Sequence, residues 1–215
     1  MAELPTNVAE AIATAIFASE LQLFQRSYRA ALKALEYEEQ EVEKSVRAAL
    51  RLGATDEFPD GEDGDSDDLI REVYDRASES VTEIHRGATL VSKAFLIVLW
   101  HMWERHCNRR LKEREYRSGK VFAWLNAKGR TPDMKRLDQL RLAANCAKHG
   151  PGDGCRNLFR KRPDLFRENG RAPCESNLII KTDVLNEFFS AVLYAGTGRE
   201  ASAESRGVEA ALVAD

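Results

Sequence analysis

The sequence predicts an all-α protein, an antiparallel helical bundle opened by long N-terminal helices. Three observations carry this. Residues 7–52 contain neither Gly nor Pro and are rich in Ala, Leu, Glu and Arg, all strong helix formers. Ile70, Val73, Ala77, Val81, Ile84, Ala88, Val91, Phe95, Val98 and Met102 make a second apolar stripe. Its spacing, about 3.5 residues, suits a helix lying almost antiparallel along a partner. No stretch alternates apolar and polar residues as a half-buried strand must, although "NLIIKT" has room for a short extended piece.

The elements follow in order. In the first helical stretch Phe17, Leu21, Phe24, Tyr28, Leu32 and Leu35 recur at three- and four-residue steps and form one apolar face. Both one long helix and two shorter ones fit that pattern. Residues 54–68 hold eight acidic residues, no basic ones and several turn formers, which reads as a solvated acidic loop. Mimicry of nucleic-acid phosphates is the other reading of that loop. Ser66 and Asp67 supply the cap signal of the second helix. Past Val91 both faces of that helix turn apolar, which predicts burial all round and offers a dimer surface over residues 87–103. That run is interrupted by Lys93 and falls short of the ~20 apolar residues a bilayer span needs, so a core or interface helix is expected rather than a membrane segment.

Polarity then reverses. Residues 103–120 carry seven Lys/Arg against three Glu, followed by the short apolar piece "VFAWLNA". A helix start is expected at "TPDMKRLDQL", with Thr131 as N-cap and Pro132 at the first helical position. This helix runs to Gly150-Pro151. Residues 150–182 read as a basic, irregular segment. A last amphipathic helix spans Asp183 to Tyr194, with Val184, Leu185, Phe188, Phe189 and Val192 inward. The chain thus reads as a single helical domain over 1–195, with a small, polar, flexible tail over 196–215.

The net charge of −3 names no partner. The start lacks a basic stretch followed by an apolar one, and there are four cysteines, so reduced thiols in the cytoplasm are expected. Cys146 and His149, with Cys155 and Cys174, include one feasible zinc pair, but no second tight Cys/His pair follows. No metal or other cofactor is expected. No Walker-type Gly-Lys-Ser/Thr loop, G-x-G-x-x-G or G-x-S-x-G occurs, which leaves nucleotide hydrolysis and serine hydrolase chemistry without support.

The helix that ends in "RLAANCAKHGPG" carries the most chemistry. Leu137, Leu140, Ala144 and Ala147 fall together as the buried stripe. Arg141, Asn145 and His149 follow at four-residue steps as a polar ridge beside it, with Lys148 on the Arg141 side. Arg141 and His149 stand about 80° apart around the helix and about 12 Å apart along it. One chain therefore cannot easily close both on a single phosphate. Two copies meeting across a dimer axis can.

An Asn-x-x-x-His sequence ending a late helix of an all-α bundle resembles the HEPN superfamily. In that superfamily Arg-x4–6-His, often Arg-Asn-x-x-x-His, is the ribonuclease signature. Asn145 and His149 match it. Ala144 stands where the arginine would be, and Arg141 lies one turn earlier, with seven residues between it and His149. The resemblance covers residues 67–194. It implies a helical bundle that dimerises, two motif copies in one cleft, and metal-independent RNA cleavage of the kind used by bacterial toxins and phage-defence proteins. It also implies a homodimer as the working form and a cognate antitoxin or regulatory protein as a partner, with no membrane involved.

The chemistry suits those residue types. RNA carries its own nucleophile, the 2′-hydroxyl. Histidine titrates where protons must be taken and returned, so His149 is the candidate acid–base. Arg141 or Lys148 would stabilise charge on the phosphate, and Asn145 would orient His149 or the phosphate. Arg109, Arg110, Arg156, Arg160 and Lys161 would hold the RNA backbone and make binding salt-sensitive. Trp124 or Phe159 would stack an unpaired base. The plainer reading is that Lys148 and His149 face the helix dipole and Asn145 bonds to a neighbouring turn. The domain is then a non-catalytic, HEPN-like module that binds RNA or a partner protein.

Overall fold

The computed structural model describes residues 6–59, 67–167 and 172–198. It is all-α: α1 (Thr6–Ala49), α2 (Asp67–Leu111), α3 (Ser118–Ala127), α4 (Met134–His149), α5 (Asp153–Lys161) and α6 (Thr182–Thr197). Two short 3-10 turns, Pro163–Leu165 and Glu175–Asn177, connect α5 to α6. The described residues contain no strand; Phe166 and Leu178 make an isolated bridge, where the "NLIIKT" piece was expected to be extended. The Ser66 cap signal, residues 60–66 of the acidic loop, residues 168–171 of the basic segment and residues 199–215 of the tail lie outside the described residues.

The first helical stretch is one helix of 44 residues. Three local readings change. "VFAWLNA" lies within α3, which buries Val121 and Leu125. Asp133, not Thr131, caps α4: its side chain accepts from the Arg136 amide at 2.8 Å, and Pro132 falls before the helix. The basic segment contains α5, which buries Cys155 and Leu158 and turns its arginines outward. The helix is only nine residues long and lies between Gly150-Pro151-Gly152 and Pro163, turn signals that read as irregular chain.

The chain packs as two compact units, Met1–Arg26 with Ser92–Asp215, and Ser27–Val91. In the Ser27–Val91 unit, α1 and α2 run antiparallel. Glu39 meets the His85 ring at 3.2 Å, and Leu35 lies beside Gly87. Arg47 organises the connection between them. It pairs with Glu43, donates to the Gly53 and Asp56 carbonyls at 3.0 Å each, and lies over the Phe58 ring.

The larger unit holds most of the core. Here α1 and α2 are again antiparallel: Phe24 stacks on Phe95 at 4.7 Å, and Phe17 on His106 at 3.9 Å. Leu96, Leu99, Trp100 and Trp103 are buried, so the large side chains offered as a dimer surface belong to the core instead. The buried positions shift along α2 after Val91, and Val98 turns out to solvent at 42% exposure. The reason is that α2 is covered from several sides. Phe24 comes from α1, Tyr116 meets Trp100 edge-on at 4.8 Å, and the Glu175 carbonyl accepts from Lys93 at 2.6 Å. That bond accounts for a lysine inside an apolar run: its ammonium is buried but satisfied, and burial lowers its pKa.

Candidate nucleic-acid interface

The chemistry-bearing ridge stands on α4 where α5 folds back against it. Helix α4 buries Leu137, Leu140 and Ala144 of the predicted stripe, leaves its fourth member Ala147 half-buried, and buries Gln139, Leu142, Ala143 and Cys146 as well. The wider buried face arises because α4 packs against both α5 and α6. Arg141 and Asn145 are left half-buried, and Lys148 and His149 are exposed on the last turn.

The turn after α4 is built by glycine. Gly150 adopts φ +70°, a left-handed conformation that costs glycine nothing, and its amide bonds back to the Cys146 carbonyl at 3.2 Å. Gly154 then allows α5 to approach. A Cβ there would lie 3.3 Å from Asn145 Cβ and 3.5 Å from the Cys146 amide. Cys146 and Cys155 are joined by a disulfide, with Cα atoms 4.7 Å apart. This corrects the expectation of four reduced thiols; Cys107 and Cys174 remain free. It also removes two of the four zinc candidates. Among the described residues no three His, Cys, Asp or Glu side chains gather as a metal site.

Arg141 is held by a residue that sequence reasoning passed over. Asp138 Oδ1 accepts from Arg141 Nε at 3.2 Å and Nη2 at 2.7 Å. Its Oδ2 accepts from Lys161 Nζ, across on α5, at 2.5 Å. Burial works to raise the Asp138 pKa, but the hydrogen bonds from Lys161 and Arg141 outweigh it and hold the carboxyl below the usual range. The result is a three-residue cluster with one net positive charge. Asp138 had a signal in the sequence, its i, i+3 spacing to Arg141; its link to Lys161 had none.

The other expected RNA contacts divide. Arg156 and Arg160 project from α5, near Asp153 (2.7 Å) and Asn157 (3.4 Å). Arg109 is exposed near the end of α2. Arg110 turns instead to α1, where Nη2 donates to the Glu10 carbonyl at 3.0 Å and Thr14 Oγ1 at 2.8 Å. Of the two stacking candidates, Phe159 stays 42% exposed against Phe166, while Trp124 is half-buried beside His106.

The structure therefore joins Arg141 to Lys161 and sets Asn145 against α5. It leaves His149 on the exposed final turn, eight residues beyond Arg141. No protein-family model matches the chain, and no curated protein or solved structure is significantly similar to it.

Proposed function

We propose that the α4–α5 face binds RNA and that two copies of the chain cleave it, as a HEPN-like, metal-independent endoribonuclease of the bacterial defence or toxin–antitoxin kind. The observation that carries this reading is the shared ridge. Arg141 and Lys161 form a cationic cluster on Asp138, and His149 ends the same helix with its imidazole exposed. Arg141 supplies phosphate binding, Asn145 orientation and His149 proton transfer. Lys148, Arg156 and Arg160 extend the positive surface, and Arg109 adds to it where the RNA runs on. About 12 Å along the helix separates Arg141 from His149, so the working site is composite and needs a homodimer. RNA as substrate places the action in the cytoplasm, where a disulfide such as Cys146–Cys155 is unusual. A cognate antitoxin or regulator would hold the activity in check.

A second reading has its own observation. Ala144 occupies the motif's arginine position and is buried, and Arg141 is already engaged by Asp138. These favour a non-catalytic HEPN-like module that binds RNA or a partner protein. Inducing wild type and His149→Ala in cells separates the two. Growth arrest with fragmented RNA in wild type alone supports the nuclease. Equal growth and intact RNA in both, with RNA still retained by the purified protein, supports the binding module.

A further inference from the structure

The N-terminal half of α1 borders a cavity of about 370 Å³. It opens to solvent and is lined by Glu10, Ala11, Thr14, Ala15 and Ala18, with Arg130 ahead of α4 and Thr197 at the end of α6. The donors around it outnumber the acceptors. Arg130 uses Nη1 to hold the Ala195 and Gly196 carbonyls, at 2.9 and 2.8 Å. A guanidinium presents five N–H donors in a rigid fork, so Nη2 is left without an acceptor on the described chain. Behind the same wall Arg110 uses Nη2 on Glu10 and Thr14, and its buried Nε has no partner. Thr14 Oγ1 accepts that bond, which leaves its own hydroxyl hydrogen to donate. Among the described residues that line it the one carboxylate, Glu10, is paired with Lys128 at 2.8 Å.

We propose that this cavity is a binding site for a small phosphate-type oxyanion, with the Arg130 fork as its principal ligand and the Thr14 hydroxyl as its second. Arg130 lines the cavity, Arg110 and Lys128 act on Glu10 beside it, and Glu10 is the one carboxylate among the described lining residues, so an anion at the Arg130 fork offsets the excess positive charge. Burial depresses the Arg130 pKa, and Arg110 adds to this against the opposing pull of Glu10. Alanines at 11, 15 and 18 keep the space open, since any longer side chain would enter it. The site shares no residue with the Arg141–His149 ridge, so it stands whether or not the chain cleaves RNA.

The test titrates inorganic phosphate into the full-length protein by calorimetry, and follows the thermal midpoint in phosphate against chloride at equal ionic strength. Wild type should bind phosphate and melt higher in it. Ala15→Leu, which fills the cavity from an exposed position on α1, should weaken binding by about tenfold or more. Ala11→Leu provides the same readout if Ala15→Leu fails to fold by circular dichroism. Arg76→Ala, which removes an exposed cation that has no part in either site, should bind as wild type does. Absence of phosphate-dependent heat in wild type overturns the proposal. So does unchanged binding in the folded cavity-filling variants. Loss of binding in Arg141→Ala alone would assign the anion to the α4 ridge and overturn it as well.

Discussion

Asp138 grips Arg141 through two of its guanidinium nitrogens, Nε at 3.2 Å and Nη2 at 2.7 Å, while its other oxygen takes Lys161. The carboxylate positions two cations and also competes with any phosphate for them. Asp138→Asn should therefore release charge. RNA binding should tighten, and the slope of log affinity against log salt should steepen by somewhat under one unit per phosphate gained. The pair is partly exposed, so the stability cost should stay within about 1 kcal/mol. Weaker binding with an unchanged slope would show that Asp138 holds the cations in place rather than competing for them.

The Cys146–Cys155 bond ties the motif helix to α5. Its short loop should contribute roughly 2–3 kcal/mol to stability. A reductant should lower the melting temperature of wild type, while Cys146→Ala/Cys155→Ala should melt lower and ignore the reductant. Mass spectrometry that finds four free thiols in the untreated protein would contradict the pairing.

His106 lies buried against Phe17, and burial, with Arg110, Arg130 and Arg109 adding to it, pushes its pKa down to about 4 from 6.5. Between those two values the unfolded chain binds a proton that the folded chain does not. Stability is thus complete above pH 6.5 and falls as pH drops towards 4, by roughly 3 kcal/mol in all. Chemical denaturation across that range should show the loss, and His106→Phe should flatten this part of the profile.

Gly196 faces the same ring. A Cβ there would run into Phe17 Cε1, and Phe17 is pinned between α6 and His106. Gly196→Ala should destabilise by about 1–3 kcal/mol. Adding Phe17→Leu should recover part of this in a double-mutant cycle; strict additivity would mean that the two residues do not press on each other.

The helical class and the long N-terminal helices were legible because periodicity reports burial on one face, as at Phe17, Leu21 and Tyr28. That rule weakened where α2 is covered from several sides: Val98 turned outward while Lys93 went in. Helix α5 was obscured by its nine-residue length and the Gly-Pro-Gly and Pro163 breaks on either side of it, and Thr131 yielded the cap to Asp133, two residues later. The Arg141, Asn145, His149 ridge could be read from helical spacing alone. Asp138–Lys161 and Cys146–Cys155 could not, since both depend on how α5 folds back past Gly154. Arg110 looked like one more cation of a basic run, and only the packing of α1 gives it Glu10 and Thr14.

The central claim is tested most directly by incubating a single-stranded RNA with purified wild-type protein and with His149→Ala, each folded and dimeric, in excess chelator. The account predicts that wild type cuts the RNA without metal, and that His149→Ala binds it with the same salt dependence and leaves it whole. RNA left intact by dimeric wild type, or cut equally by His149→Ala, would contradict it.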